Sequence, residues 1–280
     1  MIKPERKTVK SIKVIYLNMD YALYQVDAFT NRLFGGNPAC VIPLDHWLED
    51  EILLKIAKEN AVPETAFFVA NKESFHLRWF TPDLEMDLCG HATLATAHIL
   101  KTQLQCDREI IHFNTLSGRV KVSVKDDYYF LDFPSRMPVR KHLPQPLGDA
   151  LSLMPKEVYK ARDFVLLYEK EEDIKNIEIE RSHFDELDLG TGGVIVTAQG
   201  SKVDFVSRFF TPRATILEDP VTGSAHCSLI PFWANILNKE RMTAAQISSR
   251  GGHLVCVNKE DRVLIGGKAR TYFQGKFKII

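Results

Sequence analysis

The sequence predicts an α+β protein built from two similar domains, each with β-strands wrapped around one central helix. Its 280 residues are roughly twice the length of a common domain. Two segments are small or apolar on nearly every side, which is typical of a helix that is buried all round. The same pair of short motifs precedes both segments in the same order, which indicates an internal duplication. Together these observations favour two copies of one plan.

Charge and composition exclude several classes of protein. The 36 Lys and Arg residues balance the 36 Asp and Glu residues, so the chain lacks the basic excess of a typical nucleic-acid-binding protein. No apolar run of about 18 residues is present, so we expect neither a transmembrane helix nor a membrane partner. Residues 1–7 lack the apolar stretch of a secretory signal. Five scattered cysteines without a CxxC pattern favour free thiols in a reducing cytoplasm, which is the expected location.

The first elements along the chain are a basic extension, a strand and a helix. Residues 1–18 are rich in Lys and poor in apolar pairs, so we expect an N-terminal extension, with Met19 as an alternative start. Residues 21–29 give the first strand signal. Asp45 is the expected cap of a helix whose apolar residues recur at spacing four on one face: Leu48, Ile52 and Ile56.

The first central helix lies among further predicted strands. Aromatic content and apolar–polar alternation predict strands at 75–80, 118–124 and 128–133. Residues 90–100 are small or apolar nearly all round and form the predicted central helix.

The second central helix is predicted at residues 224–237, where we expect Pro231 to kink the helix or to tighten its start. Its approach repeats that of the first helix. Arg208-Phe209-Phe210-Thr211-Pro212 corresponds to Arg78-Trp79-Phe80-Thr81-Pro82, and Glu218-Asp219-Pro220-Val221-Thr222-Gly223 corresponds to Glu85-Met86-Asp87-Leu88-Cys89-Gly90. The boundary between the two copies is expected near Phe133-Pro134, where prolines begin to recur.

Each central helix is expected to begin at a glycine that follows a short polar turn. A helix N-terminus offers unpaired N–H groups and a partial positive charge. Two such ends in one cleft would bind a carboxylate and would stabilise an enolate-like oxygen as its charge develops. The alternative is that Gly90 and Gly223 only let the helices pack tightly. The matched pair favours the site.

Glu64 is the best acid–base candidate. It stands in an apolar and aromatic run from Val62 to Phe68, without a cationic neighbour in the sequence. Desolvation in such surroundings would raise the pKa of the carboxyl group toward neutrality, as a general acid/base requires. The alternative is a glutamate at a strand edge that faces water.

Two further polar residues stand at the starts of the central helices. His91 follows Gly90 and would donate to substrate or shuttle a proton. Asp219 stands just ahead of the second helix. The alternative for both residues is a structural role, such as capping a helix.

Three other signals do not support a site. Gly190-Thr191-Gly192-Gly193 precedes a strand, whereas a dinucleotide site needs its glycines between a strand and a helix. Ser224 does not stand in a Gly-x-Ser-x-Gly motif, so a hydrolase is unsupported. We predict no metal site, because four possible zinc ligands match no common spacing: Cys89, His91, His226 and Cys227.

Five ordered motifs together give the chain a family resemblance. From about Tyr21 to its C-terminus, the chain resembles the phenazine-biosynthesis PhzF-like proteins in Asp27-Ala28-Phe29-Thr30, Gly35-Gly36-Asn37-Pro38-Ala39, Glu64-Thr65-Ala66-Phe67, Cys89-Gly90-His91-Ala92-Thr93 and the run from Glu218 to His226. The resemblance implies a diaminopimelate-epimerase-like fold of two pseudo-symmetric domains, each a strongly curved, mostly antiparallel sheet around one central helix. Residues 19–133 with about 271–280 would form domain 1, and residues 134–270 would form domain 2.

The resemblance implies a cofactor-independent isomerase that acts on a small carboxylate-bearing substrate, and a homodimer is the expected assembly. Glu64 corresponds to the catalytic acid/base, and His91 and Asp219 correspond to groups that hold and polarise substrate. The implied substrate-binding residues are Asn37, Cys89, Gly90, Thr222, Gly223 and Ser224. Diaminopimelate epimerase uses two facing cysteines. Cys89 occupies the first of these places but Thr222 occupies the second, which favours a single carboxylic acid over two thiols.

Two alternatives stay open. The chain could keep the fold as a non-catalytic protein that binds a small ligand or a partner. It could also be a thiol-dependent epimerase that uses Cys89, in which case alkylation or Cys89→Ser would inactivate it.

Overall fold

The computed structural model describes residues 20–279, so the predicted extension at 1–18 and the alternative start at Met19 lie outside the described residues. Below, "first half" means residues 20–134 and "second half" means residues 135–279. The elements of the first half are Asp20–Ala28 (β1), Asn37–Leu44 (β2), Asp50–Asn60 (α1), Glu64–Ala70 (β3), Phe75–Phe80 (β4), Glu85–Met86 (β5), Gly90–Thr102 (α2), Ile110–Thr115 (β6), Gly118–Lys125 (β7) and Tyr128–Pro134 (β8).

The second half contains more short helices than the first. Its elements are Val139–Arg140 (β9), Gln145–Ala150 (α3), Glu157–Lys160 (β10), Phe164–Leu167 (β11), Glu171–Asn176 (α4), Arg181–Phe184 (α5), Val194–Gln199 (β12), Phe205–Phe210 (β13), Glu218–Asp219 (β14), His226–Leu237 (α6), Arg241–Gln246 (β15), Gly252–Lys259 (β16), Arg262–Gly267 (β17) and Ala269–Lys278 (β18). No helix within residues 20–279 is long and apolar enough to cross a membrane.

The strand pairings of the two halves follow one pattern. In the first half β2 pairs in parallel with β3, β4 pairs in parallel with β6, and β6, β7 and β8 form an antiparallel series. In the second half β11 pairs in parallel with β12, β13 pairs in parallel with β15, and β15, β16 and β17 form the matching series. Every other strand pairing within residues 20–279 is antiparallel. The pairings therefore agree with the duplication that the repeated motifs predict.

Two strand pairings join the halves, β8 with β17 and β1 with β18. After β8 the chain forms β9, which pairs with β10, and after β17 it forms β18, which pairs with β1 along most of its length. The last strand of the chain thus completes the sheet that the first strand begins. The predicted division into domains near Phe133-Pro134 stays a prediction.

Both central helices are buried on every side, as their composition predicts. All residues of α2 from Gly90 to Leu100 are buried, and α2 packs against β1, β2, β3, β8 and β18. In α6 all residues from His226 to Ala234 are buried, and it packs against β16 and β17. A continuous core runs through both halves around these helices.

The second central helix begins later than predicted. The first helix starts at Gly90 as expected, but α6 starts at His226 rather than at Gly223 or Ser224. The residues between form a tight turn in which the N–H of His226 donates to Gly223 O and the N–H of Cys227 donates to Ser224 O. Such i→i+3 bonds are typical of the turn that precedes an α-helix.

Pro231 lies inside α6 without ending it. A proline has no N–H, so it leaves the carbonyl four residues earlier without its helical donor. That carbonyl belongs to Cys227, and it accepts instead from the N–H of Arg136, 2.9 Å away. Arg136 belongs to the segment that joins the halves, so the proline creates an attachment point for this connection.

The outer face of the sheet is covered differently in the two halves. A cluster of residues that includes Leu48, Leu53 and Phe67 packs around α1 on the first half. A second cluster around α3, α4 and α5 covers the second half, and it includes Leu147, Ile174 and Phe184.

The predicted start of the first helix is wrong. Asp45 does not cap α1, because the helix begins at Asp50 and Glu49 takes the N-cap position. The carbonyl of Glu49 accepts the N–H groups of Ile52 and Leu53, which closes the first turn there. The fully buried face is accordingly that of Leu53 and Ala57, whereas Ile52 and Ile56 are only partly buried.

Candidate active site

One cavity of about 310 Å³ lies between the two halves. Its walls come from corresponding places in both, namely the loops before β5 and β14 and the starts of α2 and α6. Eight residues that the sequence singles out line it: Glu64, Cys89, Gly90, His91, Asp219, Thr222, Gly223 and Ser224. The structure therefore brings the predicted residues of both helix starts into one site.

The start of α2 and the turn before α6 contact each other at Gly90 and Gly223. A Cβ atom on Gly90 would lie 2.9 Å from the Cα of Gly223, and a Cβ atom on Gly223 would lie 3.0 Å from the Cα of Gly90. No described side chain caps the N-terminus of either α2 or α6. The glycines therefore allow close packing of the two segments, and both glycines line the same cavity. The predicted convergence of the two helix starts is confirmed.

Glu64 is the first residue of β3, where the strand reaches the cavity. Its side chain is 14% exposed, so it does not have the environment of a strand-edge residue in water. Its Oε2 atom lies 3.0 Å from Nε2 of His91. The alignment is not that of a good hydrogen bond, and neither atom has another partner among the described residues. The two side chains are thus close enough to share a proton.

His91 lies in the first turn of α2 with a side chain that is 3% exposed. Burial lowers the pKa of its imidazole, but the neighbouring Cys89 sulfur and Glu64 carboxylate outweigh burial and raise this pKa above its usual value. Sγ of Cys89 lies 3.6 Å from Nδ1. Glu64 is therefore the neighbour of Nε2, and Cys89 and Asn37 are the neighbours of Nδ1.

Asn37 joins the two halves of the site from beneath. It is fully buried at the start of β2 and does not line the cavity. Its Nδ2 lies 3.1 Å from Nδ1 of His91, and it donates to Oδ1 of Asp219 at 2.7 Å and to the carbonyl of Val221 at 2.9 Å. These are the contacts of a positioning residue. The direct contact with substrate that the resemblance implies for Asn37 stays a prediction.

Asp219 ends β14 beside the start of the second helix. Burial, and then the Glu64 carboxylate, raise the pKa of its carboxyl group. Its Oδ2 accepts a hydrogen bond from Oγ1 of Thr222 at 2.5 Å. Two carboxyl groups thus lie in one partly dry site, and the charge of Glu64 disfavours ionisation of Asp219.

Gln246, on β15, is a residue of the site that sequence reasoning missed. It is 1% exposed, its Nε2 donates to the carbonyl of Asp219 at 2.7 Å, and its Oε1 accepts the N–H of Thr222 at 2.8 Å. It fixes the backbone of the segment before the second helix. A lone glutamine in a strand carries no sequence signal, so this role could be found only from the fold.

The duplication does not extend to the reactive groups. Thr65 pairs with Phe80 as Val194 pairs with Phe210, so the position before each strand pair holds Glu64 in the first half and Gly193 in the second. A Cβ atom on Gly193 would lie 2.4 Å from the ring of Phe209, which leaves no room for a second glutamate. A carboxyl group at this strand position therefore comes from the first half alone.

Asp219 also has no equivalent carboxylate in the other half, but it belongs to the second half. Trp79 pairs with Met86 as Phe209 pairs with Asp219, so a methionine stands in the first half where the second half has the carboxylate. By contrast, the scaffold beneath both positions is repeated. Nε of an arginine contacts Oε1 of a glutamate at 2.7 Å in each half, in the pairs Arg78–Glu85 and Arg208–Glu218.

Cys89 lies beside Glu64 and His91, is 4% exposed and lines the cavity. Burial, followed by the Glu64 charge, raises the pKa of its thiol to about 11. At neutral pH the thiol is therefore protonated and a poor nucleophile.

Glu64, Cys89 and His91 place one possible ligand atom each within 4.8 Å of one another. The two nearest contacts use different ring nitrogens, since Nε2 faces Glu64 and Nδ1 faces Cys89. One ion cannot bind both nitrogens of a ring, and a thiol with a high pKa must lose its proton before it binds metal. The donor set therefore fits a proton-sharing cluster better than a metal centre.

The other two possible zinc ligands lie elsewhere. His226 is fully buried, and its Nδ1 lies 2.9 Å from the carbonyl of Thr222. Burial lowers the pKa of His226 to about 4, so its ring is neutral. Burial also raises the pKa of the Cys227 thiol to about 12. Neither residue lines the cavity.

Comparisons with known proteins agree on one family. The model of the PhzC-PhzF family, described as phenazine biosynthesis-like protein, matches residues 26–275. An uncharacterized isomerase of Pseudomonas aeruginosa is 46% identical over 263 residues, which cover 93% of this chain and 100% of the relative.

Solved structures extend this similarity. A phenazine biosynthesis protein of the PhzF family from Enterococcus faecalis superposes with a TM-score of 0.89 at 46% identity, covering 93% of this chain and 100% of that chain. A hydroxyproline epimerase from Agrobacterium vitis superposes with a TM-score of 0.60 at 11% identity, covering 93% of each chain. The second similarity concerns the fold alone. Together they confirm the predicted fold class.

Proposed function

The chain belongs to the phenazine biosynthesis-like (PhzC-PhzF) family and is an isomerase, and from this premise we propose that Glu64 alone moves a proton on a small carboxylate-bearing substrate. The observation that carries this proposal is the 3.0 Å approach of Glu64 Oε2 to His91 Nε2 in the cavity onto which both uncapped helix starts open. A carboxylate acid/base beside a histidine, with N–H groups nearby, is the set of groups that proton transfer at carbon requires.

The substrate carboxylate would bind at the starts of α2 and α6. The N–H groups in the first turn of a helix have no intrahelical acceptor and carry partial positive charge. In the second half the first N–H groups of α6 donate to the turn residues Gly223 and Ser224, so the corresponding donors are the N–H groups of Gly223 and Ser224 themselves. Gly90 and Gly223 let the two sets of donors approach each other, because a side chain at either position would push the two segments apart. The same donors would stabilise the negative charge that develops on the carboxyl group when the neighbouring carbon loses its proton.

The reaction balances with one carboxyl group. Glu64, as the carboxylate, takes the proton from the substrate carbon, and the electron pair of the C–H bond moves into the conjugated carboxyl group. Glu64, now the acid, returns the proton to a carbon of the same intermediate and becomes a carboxylate again. His91, 3.0 Å away, holds the glutamate in place and stabilises its charged form when its ring carries the second proton.

The absence of a second glutamate supports a single acid/base. Gly193 occupies the place in the second half that Glu64 occupies in the first. The thiol of Cys89, with a pKa of about 11, is a weak candidate for the second base of a two-base epimerase. No step in this scheme uses a cofactor or a metal ion.

Exchange of substrate hydrogen with deuterated solvent tests the proposal. A screen of small hydroxy, amino and unsaturated carboxylic acids identifies compounds whose C–H exchanges in the presence of the protein. Glu64→Gln keeps the shape of the side chain but removes the proton carrier, so we expect exchange to fall by at least about a thousandfold while binding persists. Glu157→Gln, a partly buried glutamate outside the cavity, is the matched control and retains exchange.

Exchange that survives Glu64→Gln contradicts the proposed role. Ligands that bind without exchange in the unaltered protein favour instead a non-catalytic binding protein on the same fold.

A further inference from the structure

Arg162 lines the same cavity from the second half, on the wall formed with Gly190, Thr191 and Phe209. Its side chain is 18% exposed. Nη2 donates to the carbonyl of Thr191 at 2.6 Å, so the glycine-rich loop that precedes β12 holds one edge of the guanidinium group. This loop opens no helix, and its contact with Arg162 gives it a place in the site.

Most of the hydrogen-bonding capacity of Arg162 is unused. Its Nε and Nη1 atoms are buried and have no hydrogen-bond partner among the described residues. The carboxylate of Asp163 is 3.7 Å from Nε, which is too far for a hydrogen bond, and Oδ1 of Asp163 already accepts the N–H of Gly193 at 2.9 Å. A guanidinium group has five N–H donors, and leaving several of them unpaired away from water is costly. The Nε and Nη1 donors of Arg162 therefore lack an acceptor among the described residues.

Arg213 also lines the cavity but is committed elsewhere. Its Nε donates to the carbonyl of Asp185 at 3.0 Å, and its Nη2 donates to the carbonyl of Glu186 at 3.2 Å. Its side chain is 54% exposed. Of the two arginines at the cavity, Arg162 is the one with buried, unpaired donors.

We propose that Arg162 binds a second acidic group of the substrate, so that the substrate class is a dicarboxylate. One carboxylate lies at the starts of α2 and α6, where its neighbouring carbon faces Glu64, and the other pairs with the guanidinium of Arg162. A carboxylate fits because its planar pair of oxygens matches the fork of an arginine and accepts two hydrogen bonds at once. This inference rests on the proposed function for the role of the first carboxylate.

The electrostatics of the cavity favour this assignment. Glu64 and Asp219 are acidic, so the cavity disfavours an anion unless donors and cations offset these charges. Arg162 supplies a positive charge on the wall formed by the second half. The N–H groups at Gly90 and Gly223 supply partial positive charge where the two halves meet. A substrate with a single carboxylate leaves the Arg162 donors unpaired, which disfavours it relative to a dicarboxylate.

Ligand binding without turnover tests the assignment. Thermal-shift and calorimetric titrations compare dicarboxylates from malonate to adipate with monocarboxylates of equal chain length, using the unaltered protein, Arg162→Met, Arg162→Lys and Arg213→Met. We expect one dicarboxylate length to bind best. Arg162→Met should weaken its binding about ten- to a hundredfold and leave monocarboxylate binding unchanged, as the loss of a charge-assisted pair predicts.

The other variants separate charge from geometry. Arg162→Lys keeps the charge beside Asp163 and so protects the fold, but it loses the two-point contact and should still lower the preference for dicarboxylates. Arg213→Met removes the same charge from the same half and should leave the preference unchanged.

A dicarboxylate preference that survives both Arg162 variants overturns the inference, and a lower melting temperature alone would then show that Arg162 only neutralises Asp163. Failure of the proposed function is distinguishable, because Glu64→Gln would then have no effect on exchange while the dependence of binding on Arg162 stands.

Discussion

At the residue scale, the Asn37 side chain connects the polar groups at the start of α2 with those ahead of α6. Its amide contacts His91 on the first helix and both Asp219 and Val221 ahead of the second. Asn37 therefore connects the two parts of the site although it does not line the cavity.

We expect Asn37→Ala to lower turnover by about tenfold or more, because the His91 ring and the Asp219 carboxylate lose the contact that fixes their relative position. The hydrogen bond from Asn37 lowers the pKa of Asp219, so its removal should raise that pKa further. Carbon-13 NMR of the Asp219 carboxyl group across a pH series measures the shift. Asn60→Ala is the matched control, since this amide donates to Thr65 instead. An unchanged Asp219 titration would contradict the positioning role.

Cys89 should behave as a structural thiol. It is 4% exposed, and its pKa is raised to about 11, so iodoacetamide at neutral pH should not modify it. Cys106 is only partly buried and should react first. Mass spectrometry of the modified sites, followed by the exchange assay, checks this expectation. Loss of exchange that parallels Cys89 alkylation, or a loss of more than about tenfold in Cys89→Ser, would support the thiol-dependent alternative.

The polar groups that meet in the cavity stand out in the sequence, whereas Gln246 does not, and Asn37 is named only by the family resemblance, as a substrate-binding residue. Glu64 stands out because a carboxyl group lies in an apolar run, and His91 and Asp219 stand out because they lie at repeated helix starts. Asn37 and Gln246 contact them across long sequence separations, 182 positions between Asn37 and Asp219. Such contacts depend on strand register, which no local pattern specifies.

At the element scale, the contact between α2 and α6 has no tolerance for a side chain. We expect Gly90→Ala to destabilise the protein by about 1–3 kcal/mol, because the new Cβ atom would lie 2.9 Å from backbone that cannot move without shifting a helix. The same shift would separate the helix N-termini and weaken carboxylate binding. Urea unfolding and ligand titration measure the two effects.

Gly148→Ala is the matched control for this substitution. Its Cβ atom would meet the side chain of Leu143 at 3.3 Å, and a flexible side chain can move away. Equal stability losses in the two variants would show that the close approach of the central helices is not the cause.

The elements that patterns predicted best are those with one environment along their whole length. The central helices are buried on every side, and their mostly small or apolar composition predicts this burial. The start of α1 was misplaced because Asp45 resembles a cap, although the first turn closes on the carbonyl of Glu49. The short helices α3, α4 and α5 have too few turns for a periodic signal, and they are stabilised by packing on the second-half sheet.

At the scale of the whole molecule, two buried histidines link stability to pH. Burial lowers the pKa of His98 to about 4 and that of His226 to about 4. An unfolded histidine titrates near 6.5. Below that value the unfolded chain binds protons that the folded chain cannot, so stability is full above about pH 6.5 and is lost as the pH falls toward 4.

We expect the free energy of unfolding to fall by about 2–3 kcal/mol for each of these histidines between pH 6.5 and 4.5, at about 1.4 kcal/mol per pH unit. Urea unfolding at several pH values measures the slope. His98→Gln should reduce the slope, whereas substitution of the half-exposed His183 should not. His91, whose pKa is raised, contributes in the opposite sense above pH 6.5. An unchanged slope in His98→Gln would contradict the assignment.

The plan of the whole molecule followed from the repeated motifs, because a duplicated sequence that buries two similar helices forms two similar sheets. The repeated motifs do not indicate the positions at which the two halves differ. Gly193 is the repeat equivalent of Glu64, and Met86 is the repeat equivalent of Asp219, so each carboxylate occurs in one half only. Both equivalences follow from strand registers that are seen only in the folded chain.

The pairing of β18 with β1 has a consequence for biosynthesis. The strand that borders β1 is the last one of the described chain to leave the ribosome. Until residues 269–278 emerge, the nascent polypeptide exposes one unprotected border of β1, and such borders attract other chains. One edge of β1 therefore stays open until residues 269–278 have been made, and a product that stops before them would expose this edge to other chains.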